Sequence, residues 1–287
     1  MPVHDDLGTR MKEFYESIPK KKLMRRTPVI IRIDGKAFHT FTKGFEKPFE
    51  EILIKTMQET TKYLCENIQG CVLGYTQSDE ITLVLVDYKK LNSAAWFDYE
   101  VQKMCSIAAS MTTMAFNRIF AKNVKEYDIE WKCGLTPQSD EIQKAHYDYI
   151  DVLSKAVEKG AMFDARVFNI PKEEVTNCIY WRQLDASRNS IQMVGQANFS
   201  HKELHCKTCS NIQDMLMEQK NINWNNFPTY QKRGTCVVKK EFYPEPLKGY
   251  EDCEVDASDV ITRWVIDKDI PIFKDEGRDY IEKFINL

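Results

Sequence analysis

The run Val29-Ile30-Ile31-Arg32-Ile33 restricts this chain more than any other segment. Branched apolar side chains with one polar interruption predict a strand over 28–33, buried on both faces. Asp34-Gly35 ends it in a tight turn. A second β-rich stretch, Gly74-Tyr75-Thr76-Gln77-Ser78-Asp79-Glu80, predicts a hairpin tip between strands over 71–76 and 81–87. If the two segments are neighbours in one sheet, Asp34 and Asp79 lie side by side. Carboxylates that close repel unless a cation lies between them. A Mg²⁺-dependent phosphoryl-transfer site needs such hard oxygen ligands, with room left for substrate phosphates. Each dipeptide alone is ordinary turn chemistry, so it is the pairing that points to a site.

The remaining pattern supplies partners for these strands. Leu7, Met11, Phe14, Tyr15 and Ile18 recur at helical spacing, predicting an amphipathic helix over 6–18 stopped by Pro19. A helix opens after Lys47-Pro48 and stops at Gly70, and a longer one is expected over about 95–121. The polar stretch 122–148 reads as less regular, and 161–169 reads as a fourth strand. The order β-α-β-β-α-β is the ferredoxin-like arrangement, so an α+β palm-like sheet is expected over residues 1–170. Both carboxylate turns would fall at one end of its central strands. Residues 171–287 read as a mainly helical C-terminal region packed on the sheet. Ser200-His201-Lys202-Glu203 and Ser210-Asn211-Ile212-Gln213 resemble helix-start boxes, and 234–243 reads as a strand. No pattern assigns the tail from 245.

A chain of 287 residues with no membrane-length apolar run and no signal-like N-terminus is expected to be cytoplasmic, without a membrane partner. Nine cysteines, an odd number, form no compact framework; Cys65, Cys105, Cys178 and Cys236 read as reduced residues among apolar or helical neighbours. The net charge of −3 does not advertise nucleic-acid binding, but its distribution is uneven. Lys20, Lys21, Lys22, Arg25 and Arg26 precede the first strand, and Lys232-Arg233 with Lys239-Lys240 form a second basic group. Acid collects at Glu251, Asp252, Glu254, Asp256 and Asp259. Basic runs of this kind are ordinarily solvated faces; here they are also candidate phosphate contacts.

His201, His205, Cys206 and Cys209 have metal-ligand spacing on a continuous helix. A structural zinc site ordinarily needs two separated ligand pairs, and a local helix-turn-helix fits this segment better. His39 is either a phosphate or ribose contact or a half-buried loop histidine. Lys47, at the start of a helix, would strengthen an anion site there. No P-loop, dinucleotide fingerprint or nucleophile elbow occurs in the chain.

The ordered segments 32–39, 45–48 and 74–80 resemble those of the tRNA-His guanylyltransferase family. So do Met162-Phe163-Asp164-Ala165-Arg166-Val167, Tyr180-Trp181-Arg182-Gln183, residues 221–226, and Tyr230-Gln231-Lys232-Arg233-Gly234. The resemblance runs from about residue 7 to 240. It implies a polymerase palm that adds nucleotides to the 5′ end of tRNA, in a homotetramer. It implies two Mg²⁺ ions held by Asp34, Asp79 and the Gly35 carbonyl. ATP and GTP or another NTP are the implied substrates. Lys47 and Ser78 would hold phosphates, and Lys36, Ala37, Phe38, His39 and Glu80 fall on nucleotide-site positions.

Eukaryotic members carry His-Ile-Asn-Asn after the Trp-Arg-Gln segment; here Ser187-Arg188-Asn189-Ser190 stands instead. The chain therefore resembles the guanylyltransferase-like branch, which extends 5′-truncated tRNAs against a template nucleotide. Arg188 and Asn189 join the candidate RNA contacts. A palm-fold nucleotide cyclase and a non-catalytic RNA-binding palm are the alternative readings.

Overall fold

The apolar run becomes a central strand in the computed structural model, which describes residues 5–134, 139–242 and 260–286. Strand β1 (Val29–Gly35) lies among β2 (Cys71–Gln77), β3 (Glu80–Leu85), β4 (Phe163–Asn169), β5 (Thr235–Phe242) and β6 (Ile261–Asp267). They form a six-stranded sheet of order β4-β1-β3-β2-β5-β6, antiparallel throughout. β1 runs two residues further than its apolar pattern, because Asp34 still pairs with Glu80 of β3 and Asp164 of β4.

The helices are α1 (Asp6–Met11), α2 (Phe38–Phe41), α3 (Glu51–Asn67), α4 (Val101–Cys133), α5 (Asp140–Lys159), α6 (Val175–Asn198), α7 (His201–Leu204), α8 (Cys209–Lys220), α9 (Thr229–Arg233) and α10 (Asp279–Ile285). Val29, Ile31 and Ile33 share a core with Met57 and Leu64 of α3 and Met104 and Phe116 of α4. Ile30, Tyr75 and Val84 face the other way, with Ile179 of α6 and Ile281 of α10. Two apolar faces explain why β1 shows no alternation. They also fix the register, since a one-residue slip would exchange the two cores. Each buried Val or Ile contributes about 1.5–3 kcal/mol.

The expected βαββαβ order is present, and helices of the C-terminal region cover the second face. That region also lengthens the sheet by β5 and β6, so one sheet continues across residue 170. β5 matches the expected strand; β6 lies in the tail that no pattern assigned. The acidic group at 251–259 lies outside the described residues.

Three local readings need correction. α4 begins later than expected, after a turn at Trp96–Tyr99, and continues to Cys133; α5 occupies much of the stretch read as irregular. Within the stretch 122–148 only His146 of α5 is buried; its core-facing stripe, Ile150, Leu153, Ala156 and Val157, lies beyond residue 148. The second helix-start box uses Thr208 and Asn211, whose side chains cap each other's backbone, rather than Ser210 and Gln213. This places Ile212 and Leu216 in a small C-terminal core. The N-terminal helix forms as α1 followed by a wider turn at Lys12–Glu16, but Leu7, Met11, Phe14, Tyr15 and Ile18 stay exposed.

Candidate active site

Two turns at the same sheet end build the site. The Gly35 N–H donates to the Asp79 carbonyl at 3.1 Å, tying the Asp34 turn to the hairpin tip. Ser78 takes a left-handed conformation (φ 50°), and its hydroxyl donates to Asp79 Oδ1 at 3.1 Å. A side chain at Gly35 would run into the Phe38 ring, so close approach requires glycine there. Phe38 is fixed by Phe41, Phe163 and Phe116, with ring centroids 5.1, 5.4 and 5.7 Å away. A packed aromatic cluster thus supports the loop that carries Asp34.

A cavity of about 480 Å³ opens at this end. Of the candidate site residues, Asp34, Gly35, Ala37, Phe38, His39, Lys47, Ser78 and Asp79 line it. The sequence reading missed Glu46, Glu50, and Met193 and Gln196 of α6 on the same wall. Glu50 was legible as a cap for α3, whose Leu53 N–H it accepts. Met193 and Gln196 carried no local signal, because folding brings α6 across from more than 100 residues away.

The electrostatics favour a cation. Burial pushes the Asp79 carboxyl up, and the Asp34 charge adds to this, while its backbone and Ser78 hydrogen bonds pull it back. Burial also pushes Asp34 up, with Glu80 and Asp164 adding and Arg166 and Arg32 opposing. The nearest guanidinium to Asp34, Arg166, is 4.0 Å away and lies closer to Asp164, at 3.3 Å. Two mutually repelling, acceptor-only carboxylates fit a hard divalent ion. Among the described residues no group of three His, Cys, Asp or Glu side chains gathers for a metal. Backbone and substrate oxygens would therefore have to complete any shell here. His201 opens α7, His205 caps its end and Cys209 opens α8, so the segment is the expected local helix-turn-helix and not one continuous stripe of ligands.

Other expected contacts are placed elsewhere. Lys36 is exposed outside this wall, its N–H donating to Met162 O at 2.8 Å. Glu80 is buried and accepts from Arg32 and Arg182, each at 2.6 Å. It therefore anchors β1 and α6 to β3 instead of facing the cavity. Lys20 pairs with Glu16 and Lys22 with Asp98, while the Lys21 carbonyl accepts from Val101. Arg25 donates to Asp87 at 2.6 Å, and the Arg26 N–H to the same carboxylate at 2.8 Å. This basic run lies where β1 begins, roughly 20 Å from Asp34 at ~3.3 Å per strand residue. Lys232 is buried and donates to Asn225 O at 2.5 Å, and the Arg233 carbonyl accepts from Tyr75. Arg188 is exposed and paired with Asp185. Asn189 and Ser78 line a smaller neighbouring cavity of about 80 Å³.

Comparison with known proteins adds independent findings. A sequence model of one family, tRNAHis guanylyltransferase, matches residues 8–171. A solved bacterial tRNA(His) guanylyltransferase-like protein in complex with ATP is 40% identical, with TM-score 0.74, covering 97% of this chain and 98% of its own. Another, in complex with GTP, is 36% identical with TM-score 0.72 and covers 99% and 100%. The tRNA(His) guanylyltransferase of Saccharomyces cerevisiae is 25% identical over 226 residues, 74% of this chain and 82% of its own.

Proposed function

Because the chain belongs to the tRNAHis guanylyltransferase family of nucleotidyltransferases, we propose that it adds nucleotides to the 5′ end of a truncated tRNA, in the 3′–5′ direction and against a template. The observation that carries this reading is the Gly35–Asp79 hydrogen bond, which sets two carboxylates at the mouth of a nucleotide-sized cavity. The similar proteins solved with ATP and GTP support nucleotide use.

The 5′-monophosphate oxygen of the RNA attacks the α-phosphorus of ATP, and the bond to pyrophosphate breaks. The 3′-hydroxyl of the incoming NTP, GTP among them, then attacks the activated 5′ phosphorus. AMP leaves and the hydroxyl proton is lost to solvent. Asp34, Asp79 and the Gly35 carbonyl would hold two Mg²⁺ ions, which lower the pKa of an attacking hydroxyl and neutralise leaving phosphates when bound. Lys47 and Ser78 orient the phosphates. Ala37, Phe38 and His39 form the wall against the nucleotide. Pairing with the opposite strand selects the base, so these residues need only position it.

The test supplies a 5′-truncated tRNA with ATP, labelled NTPs and Mg²⁺. Templated lengthening at the 5′ end is expected. Cyclic product without RNA would instead identify a cyclase, and binding without turnover a non-catalytic palm. Using full-length and truncated tRNAs of several kinds tests the branch suggested by Ser187-Arg188-Asn189-Ser190.

A further inference from the structure

A second cavity, of about 510 Å³, adjoins the first and shares Lys47 and Gln196 with it. We infer that it is a phosphate-binding subsite for the RNA strand, taking backbone phosphates that follow the reacting 5′ end. The assignment to RNA rests on the function proposed above; the phosphate chemistry rests on the wall itself.

Lys47, Lys207, His201, His205, Gln192 and Gln196 supply its polar lining, and no carboxylate lines it. In a chain with 43 acidic and 40 basic residues, an acid-free wall of this size selects for anions. Glu203 sits on the same short helix as His201 but is turned to its cap. It accepts from the Ser200 N–H at 2.8 Å and the Ser200 hydroxyl at 2.6 Å. The apolar part of the wall comes from Phe199, Leu204 and Ile212, which belong to or pack against the C-terminal core. That packing holds α7 and α8 in place, so the polar groups project from a fixed base. The histidines spaced like metal ligands thus find a different use. No cluster of three ligating side chains includes them among the described residues, whereas phosphate oxygens need only separate donors.

The shared wall sets the direction. A strand whose 5′ phosphate reaches Asp34 and Asp79 can leave past Lys47 into the second cavity, where successive phosphates meet Lys207 and the histidines. Free polyphosphate would satisfy the same chemistry, so the test carries both ligands.

Lys207→Ala with His205→Ala removes two exposed side chains, and His201→Gln forms a second, milder variant. Circular dichroism melts check that each folds. Binding of 5′-monophosphorylated truncated tRNA and of inorganic tripolyphosphate is measured over a salt series. The double variant is expected to bind tRNA about tenfold more weakly, with a log–log salt slope reduced by about one to two. KM for tRNA should rise while kcat at saturating tRNA stays near wild type. Loss of tripolyphosphate binding alone would overturn the assignment to RNA and keep a polyphosphate pocket. Unchanged binding of both ligands would overturn the subsite. Wild-type protein that binds tRNA in this way but adds no nucleotide would sink the proposed function and leave the subsite standing.

Discussion

Strand β3 is flanked by an aspartate beyond each end, and the two are treated differently. Asp87, after the strand, is 1% exposed and is met by the Arg25 side chain and the Arg26 backbone N–H. Asp79, before it, is half-buried beside Asp34, and its hydrogen-bond help comes from Ser78 and its own backbone. The first carboxylate is compensated and holds the chain together. The second is left with a like-charged neighbour, an arrangement that folding alone does not reward. Burial alone does not mark a site; a buried charge without its counter-charge does.

The largest test of this contrast is catalytic. Asp34→Ala or Asp79→Ala is expected to lose at least about 4 kcal/mol of transition-state stabilisation, roughly a thousandfold in rate, in a steady-state nucleotide-addition assay. Near wild-type turnover in Mg²⁺ would remove either residue from its role.

Next comes Arg182, a cation that compensates the buried Glu80. Arg182→Met leaves the buried Glu80 with Arg32 as its one ion-pair partner and Gln77 as a neutral donor. A loss of about 3 kcal/mol in denaturant unfolding is expected, with the residual activity following the folded fraction. Asp87→Ala should lower stability by about 2 kcal/mol, since it strands a hydrogen-bonded backbone N–H. The rate per folded molecule should remain near wild type. A rate collapse in a folded Asp87 variant would break the comparison.

The smallest effect has the opposite sign. The Asp79 carboxyl titrates higher in the fold than in the unfolded chain, chiefly through burial. The folded state therefore holds its proton more tightly. Metal-free stability falls as pH rises from the unfolded value, about 4, through the raised folded value. Asp79→Asn removes that penalty, so its melting temperature without metal should rise by roughly 2 °C at neutral pH. The gain should vanish in acid, below the unfolded value, and Mg²⁺ should stabilise the wild type but not the variant. An Asn variant less stable than wild type in the absence of metal would refute the idea of an uncompensated charge.

Much of the site was legible because it is local. Asp34-Gly35 and Ser78-Asp79 each sit at a strand end, where turn chemistry marks the chain, whereas Lys47 lies in a bend before the Glu50 cap of α3 and does not open the helix as expected. The basic run at 20–26 could not be resolved from sequence, for a physical reason. Charge in a sequence does not tell whether its partner lies across the fold: Asp87 pairs with Arg25, and Asp98 with both Arg25 and Lys22. The partners of Glu80 were hidden in the same way, its arginines coming from β1 and α6. The first half of helix α5 escaped the reading because its core-facing stripe, Tyr149 to Val157, lies beyond the polar stretch that ends at residue 148.

By itself the amino-acid order determined the buried central strand, the hairpin and the two acidic turns, since backbone preference and side-chain alternation act over a few residues. Tertiary structure alone decided that β5 and β6 complete the sheet, that α6 closes the cavity with Met193 and Gln196, and which charges are neutralised. Those outcomes depend on packing between segments far apart in the chain, where the attraction of one side chain for another is settled only once a shared core has brought them within reach.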